Sequence, residues 1–305
     1  ILLEFTMKKK FPISLVCASH KGRDKIPKLI HSIFENTHWP SEIIICGTSN
    51  DDFDLILIKK YRNLNIRTII SKIKNQTVQR ELAIKKTKNK ILIQCDDDLE
   101  LDKRYIYLMY KHFEKNMNSK KIVSAAILFK NQKHQAIRWN TAFKKSALFR
   151  FILLLLNFGK KLTFMSILKS GRIVPILPAT FLNKNKAMIV ENIQWVCSTI
   201  TYNKKCLKDS IRLKNNNSGK SFYEDVFFSH SLYRKKYELI IDRSIIAYHP
   251  STKETNLLTF FKTIPSQWKI VTTFNKSAFL FFVDMAIFVI MHGLIDFSKI
   301  LYKKK

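Results

Sequence analysis

The sequence predicts an α/β fold, a mostly parallel central sheet flanked by helices and followed by a helical appendage. Three observations carry the prediction. Short apolar, β-leaning runs alternate four times with segments whose apolar residues recur at helical spacing. Each run breaks into a polar turn, as a buried strand does on leaving a sheet. The run at 90–95 ends in Asp96-Asp97-Asp98, acids delivered to the carboxyl edge of the sheet, where ligands of open α/β sheets sit.

In chain order, residues 11–18 form the first strand, and Ser19-His20-Lys21-Gly22-Arg23-Asp24 its turn. Ile26, Leu29, Ile30, Ile33 and Phe34 lie on one helical face, ending before Trp39-Pro40. Residues 42–46 make a second strand, 55–61 a helix and 66–70 a third strand. Residues 76–86 are helical with Val78, Leu82 and Ile84 inward, and the strand ending at Asp96 follows. A helix at 103–113 and a strand at 122–129 continue the alternation. Strand character resumes at 194–198 and 200–202, a helix begins near Glu224 and runs to Tyr233, and two closing strands at 239–241 and 245–248 end at His249-Pro250. This assigns residues 11–250 to one domain and 251–305 to a helical, potentially membrane-associated segment.

Two stretches depart from the alternation. Residues 151–157 are intensely apolar between basic flanks, and the segment around them, 147–158, about a dozen residues, is too short to span a bilayer. It is either a core helix or an interfacial one. At about 100° per residue, Ser277, Asp284, His292, Asp296 and Lys299 share a third of the circumference of the 277–301 helix. Two Asp and a His so central are foreign to a spanning helix. The helix therefore packs on the domain or lies on a membrane, where Lys303-Lys304-Lys305 would meet anionic lipid.

With 54 Lys+Arg against 23 Asp+Glu the chain carries +31, which attracts anionic partners or reflects a Lys-, Ile- and Asn-rich composition bias. Cys17, Cys46, Cys95, Cys197 and Cys206 have no metal-ligand spacing and read as reduced residues, mostly core, of a cytoplasmic protein in peripheral contact, at most, with the inner face of the cell membrane. Met7-Lys-Lys-Lys reads as a natural start, and no secretory pattern follows it.

Three adjacent carboxylates repel one another and call for a cation, a base or water. A divalent ion held by one or two of them that also grips substrate phosphates satisfies this, as does a solvated turn with Asp102 capping the next helix.

Taken together, Ser19-His20 after the first strand, Arg80 ahead of Asp96-Asp97-Asp98, Trp195, Glu224-Asp225 and Ala247-Tyr248-His249 resemble the inverting glycosyltransferases of family 2, over roughly residues 12–250. The resemblance implies the Rossmann-like GT-A fold and transfer of a sugar from a nucleotide-diphosphate sugar to a hydroxyl of a glycan or lipid-linked acceptor, assisted by Mg2+ or Mn2+. It places Asp98, with Asp96 and His249, at the metal. Ser19, His20, Arg23, Arg80, Asp96, Asp97 and Trp195 fall to the donor, Asp225 is the general base and Glu224 its catalytic neighbour. Departures are Gly47 and Thr48 where relatives carry base-reading acids, Glu81 after Arg80, and Ser198 where a Gly is expected. A basic nucleic-acid-binding protein is the competing class. It lacks a zinc-finger or RRM signature, and the aromatics sit inside apolar runs. Another metal-dependent nucleotidyl or phosphoryl transferase would use the same carboxylates.

Overall fold

A computed structural model describes residues 8–129, 165–174, 189–197, 199–212, 222–250 and 257–302. The apolar segment at 151–157 and the polar loop at 214–220 lie outside them. The chain divides into two compact units, one of residues 1–137 and 178–252, the other of 138–177 and 253–305.

The first unit holds the predicted alternation. Strand β1 (Lys10–Ala18), helix α1 (Ile26–Glu35), β2 (Trp39–Gly47), α2 (Leu55–Lys60), β3 (Ile66–Ile70), α3 (Gln76–Lys85) and β4 (Ile91–Asp96) follow in order. Strands β1, β2, β3 and β4 are parallel neighbours, in the order β3-β2-β1-β4. Their continuous Ile, Leu and Val runs suit strands covered on both faces. Ile13, Leu15, Ile43, Ile45, Ile91 and Ile93 are fully buried, with α1 supplying Leu29, Ile30 and Ile33.

Beyond β4 the sheet becomes mixed. A short β5 (Glu100–Leu101), α4 (Tyr105–Glu114) and β6 (Lys121–Phe129) come next in sequence. The neighbour of β4, however, is β10 (Thr199–Asn203), which runs antiparallel to both β4 and β6. The order finishes β10-β6-β11-β5, with β11 at Glu238–His249, and the two-residue β9 (Ile189–Val190) flanks β11. Residues 194–197, expected as strand, are irregular, and β10 begins only at Thr199. Instead of pairing in the sheet, the Val196 amide is held by the Ser229 hydroxyl at 3.1 Å. The two expected closing strands are one, β11 (Glu238–His249), whose register against β6 shifts between Asp242 and Ile246. There Asp242 turns to accept from the Ser244 amide and hydroxyl and to meet His112 of α4 at 2.8 Å.

Helix α3 presents Thr77, Gln79, Arg80, Ala83 and Ile84 to the interior, whereas Val78 and Leu82 are only half-buried. Its inner face is polar because it borders the site described below. Helix α5 (Glu224–Arg234) starts from Tyr223, whose left-handed backbone (φ 63°) turns the chain into the helix.

The second unit contains the hairpin β7 (Ser166–Ile167) and β8 (Ile173–Val174), with helices α6 (Leu257–Thr273) and α7 (Ala278–Tyr302). Gly171 in the hairpin turn has φ 80°, and a Cβ there would lie 2.6 Å from Val271 Cγ2. Gly171→Ala is expected to cost about 1–3 kcal/mol, through both backbone strain and this clash, measured as a lowered melting temperature. Among the described residues no helix is long and apolar enough to cross a membrane.

Candidate active site

At the carboxyl ends of β1 and β4 a cavity of about 260 Å3 opens, lined by Ala18, Ser19, His20, Lys25, Lys74, Gln76, Gln79, Asp96, Asp97, Asp98 and His249. The loops around it are tied to the strands. The Ser19 amide donates to the Cys46 carbonyl (2.9 Å), and the Gln79 side chain donates to the Ser19 and Cys46 carbonyls (2.7 and 3.1 Å). A buried amide thus staples the ends of β1 and β2 from α3, which begins with Asn75 capping the Thr77 and Val78 amides.

The three acids of the triplet have different partners. Asp97 accepts from the Ser19 hydroxyl at 2.5 Å and faces Lys25 at 3.7 Å. Burial raises its pKa, opposed by Ser19 and Lys25 and reinforced by Asp98. Asp96 pairs with the Arg80 guanidinium. Burial pushes Asp96 up to about 6, with Arg80 opposing and the neighbouring Asp98 and Asp97 adding to the rise. Asp98, a quarter exposed, faces His249 Nε2 at 3.5 Å across the end of β11.

Arg80 joins the two acidic motifs, although Asp96 and Glu224 are 128 positions apart in the chain. Its guanidinium, 4% exposed, bonds Asp96 through one nitrogen and Glu224 through another. Glu224, 1% exposed, is also held by Arg212 at 2.9 Å. Arg212 stacks over Phe228 (4.5 Å to the ring centre) and donates to Gln94 and the Tyr202 hydroxyl, both at 3.2 Å. Asp225 stands one residue further on, half-buried, with one oxygen accepting the Val226 amide at 2.9 Å. Burial, then the Glu224 charge, then that of Asp96 push Asp225 up to about 7, against the lowering influence of Arg80. This matches a general base poised near neutrality.

Ser19, His20, Asp96, Asp97, Asp98 and His249 therefore meet in one cavity, and Arg80 links it to Glu224 and Asp225. Arg23 is exposed and does not line the cavity. Trp195 is 5% exposed and also lies outside the lining, so its ring packs as core rather than as an open stacking surface. His20 turns from the triplet toward Thr48 (3.3 Å) and Asp52 (4.0 Å). Asp52 itself folds back under β2: burial would raise its pKa, but the Thr48 amide and hydroxyl and the Lys21 and Ser49 amides together hold it below the usual carboxylate range. It fills the space beside Gly47, where an added Cβ would lie 2.5 Å from Phe53 and 3.0 Å from Asp52.

Sequence reasoning missed Gln79, Lys25, Lys74 and Arg212. Gln79 was within reach, as it neighbours Arg80 in a helix with few apolar residues. Arg212 precedes the polar loop at 214–220, and nothing local marks it.

Among the described residues no group of three His, Cys, Asp or Glu side chains is arranged to hold a metal ion. Asp96, expected among the ligands, gives an oxygen to Arg80. Asp98 and His249 do fit a divalent ion: an oxygen and an imidazole nitrogen 3.5 Å apart, both partly exposed at the cavity. Two such groups form an incomplete set, and a hard divalent ion takes its remaining ligands from water or phosphate oxygens. The five cysteines are free thiols, and burial drives those of Cys17 and Cys95 well above their ordinary range, which keeps them inert.

A parallel half-sheet with acids at its carboxyl edge, an antiparallel continuation and an acidic helix start across the cleft define the GT-A class of nucleotide-binding folds. The sequence pattern described as Glycosyl transferase family 2 matches residues 14–173, more than half of the chain, and the chain belongs to that family. Among solved structures, GalNAc-T7 with UDP, GalNAc and Mn2+ superposes with a TM-score of 0.58 at 13% identity, over 88% of this chain and 48% of that one. S. aureus TarS 1-349 gives 0.52 at 14% identity, over 85% of this chain and 65% of that one. The longer S. aureus TarS structure gives 0.51 at 13% identity, over 85% and 39%. The chain spans less than two thirds of each of these relatives, and the likeness is one of fold. No curated protein sequence matches this chain.

Proposed function

We propose that the chain is an inverting glycosyltransferase that moves a sugar from a nucleoside-diphosphate sugar to a hydroxyl of a glycan or lipid-linked acceptor. The observation that carries this is the Arg80 bridge, which puts a base-range carboxyl, Asp225, beside a carboxylate-lined cavity at the strand ends. The donor lies in the cavity with Ser19, Asp97 and Lys25 along one wall. Asp98 and His249 would hold Mg2+ or Mn2+, which when bound offsets charge on the departing diphosphate. GalNAc-T7 in its crystal holds UDP and Mn2+, which supports that donor class and that ion.

Asp225 takes the proton of the acceptor hydroxyl as its oxygen attacks the anomeric carbon. The bond to the diphosphate breaks on the opposite face, so the configuration inverts. Glu224, fixed between Arg80 and Arg212, holds the start of α5 in place and keeps a negative charge beside Asp225. That charge raises the proton affinity of the base.

The test is turnover with a panel of nucleotide sugars and Mn2+, assayed for free nucleoside diphosphate. Release of pyrophosphate instead would establish nucleotidyl transfer and overturn the proposal. Asp98→Ala is expected to lower turnover about a hundredfold or more and to shift the Mn2+ titration to higher concentration, as loss of a ligand or its support does. Unchanged turnover and titration in this variant would remove Asp98 from the metal.

A further inference from the structure

Asp284 of α7 faces inward. Asp284 is 1% exposed, bonded by Arg172 Nε at 2.7 and 2.8 Å and by the Ser170 hydroxyl at 3.2 Å, and Arg172 lies over the Phe288 ring. The hairpin between β7 and β8 thus neutralises the acid that sequence reasoning set against a spanning helix. The opposite face is left apolar and open. Phe279 is 74% exposed, Phe282 62%, Val289 40% and Ile290 61%. At about 100° per residue these four, with Ala286, fall in an arc of about 100° centred opposite Asp284.

From the charges around this face, we infer that it docks on an anionic lipid surface. Among the described side chains from 261 to 290, Asp284 is the only acid, and it is buried. Lys262 and Lys269 of α6 are exposed, and Trp268, 37% exposed, packs against Phe281 and Phe282 beside the open stripe. Residues 253–305 contain eight Lys against Glu254, Asp284 and Asp296, a net charge of +5. An uncharged Phe-rich face with a tryptophan beside it, on a unit whose C-terminal part is net positive, suits the boundary between acyl chains and negatively charged headgroups. A second copy of this chain would bring the same positive charge to the interface and be repelled. The inference is independent of the donor and acceptor chemistry, since no residue of the candidate active site takes part.

The 305-residue chain is sedimented with vesicles of phosphatidylcholine mixed with phosphatidylglycerol, and with phosphatidylcholine alone. Binding is expected to the mixed vesicles, weakened by salt, and reduced at least about tenfold by Phe279→Ser with Phe282→Ser, two exposed sites whose change leaves the buried Arg172–Asp284 pair intact. Lys262→Glu with Lys269→Glu is expected to lower binding to the mixed vesicles while leaving the melting temperature unchanged. No binding to the mixed vesicles, or binding indifferent to the Phe substitutions, would overturn the inference. So would a dimer in sedimentation velocity that the Phe substitutions dissociate, since the face would then belong to a second copy.

Discussion

Asp225→Asn is expected to lower turnover by about a thousandfold, the range that removal of a general base produces, while raising thermal stability at alkaline pH. The two effects share one origin. Burial and the charges of Glu224 and Asp96 push the native carboxyl up to about 7, whereas in the unfolded chain it titrates near 3.9. Between those values the folded protein binds the proton more tightly, so stability falls as pH rises from about 4 to about 7 and stays lower above that. Asparagine cannot ionise, so the variant is expected to melt above the wild type at about pH 8, by roughly 1–2 kcal/mol, with the gap closing toward pH 4. In the wild type, kcat/KM should rise with pH along a limb near 7, as Asp225 loses its proton. Melting curves at the two pH values, with a pH-rate profile, check this. A variant of wild-type activity would remove Asp225 from the chemistry.

Arg80→Met is expected to be the most damaging single change to the fold of the site. It strips a buried cation from Glu224 and Asp96, and breaking a buried pair from one side costs about 3–5 kcal/mol, a fall of about 10 °C in a protein of this size. Arg212 still faces Glu224, so the loss should sit toward the lower end. Arg80 also holds down the proton affinity of both Asp96 and Asp225. In the variant, the acid limb of the pH-rate profile should therefore move to higher pH. Arg80→Lys restores the charge but not the two-pronged geometry, so a partial recovery of melting temperature with a still-shifted profile is the expected signature. Unaltered melting and an unaltered profile together would show that the bridge neither supports nor tunes the site.

The first half of the fold was legible because parallel strands covered on both faces are written as unbroken apolar runs, as in residues 15–18, 43–46 and 91–93. The acids at 96–98 and 224–225 were legible for a related reason: carboxylates interrupting apolar or aromatic surroundings have few structural explanations. What the sequence hid was non-local. Nothing near Thr199 says that β10 will lie between β4 and β6, and residues 194–197 have strand composition without a strand partner. Arg23 and Trp195 were assigned by position in a motif, but chain proximity did not carry them into the cavity. In α7 the period of the polar residues was readable, but the inward turn of Asp284 depended on Arg172, more than a hundred positions earlier.

The place of β10 has a consequence for biosynthesis. Strand β4 exposes a row of backbone donors and acceptors until Thr199–Asn203 arrives, about a hundred residues after Asp96 has been made. A ribosome that stalls or terminates in that interval releases a chain with a bare, strongly apolar margin, suited to join the same margin of a sister molecule. Fragments ending before residue 199 should accordingly collect in inclusion bodies, and the half built from β1 to β4 cannot be produced alone as a well-behaved module.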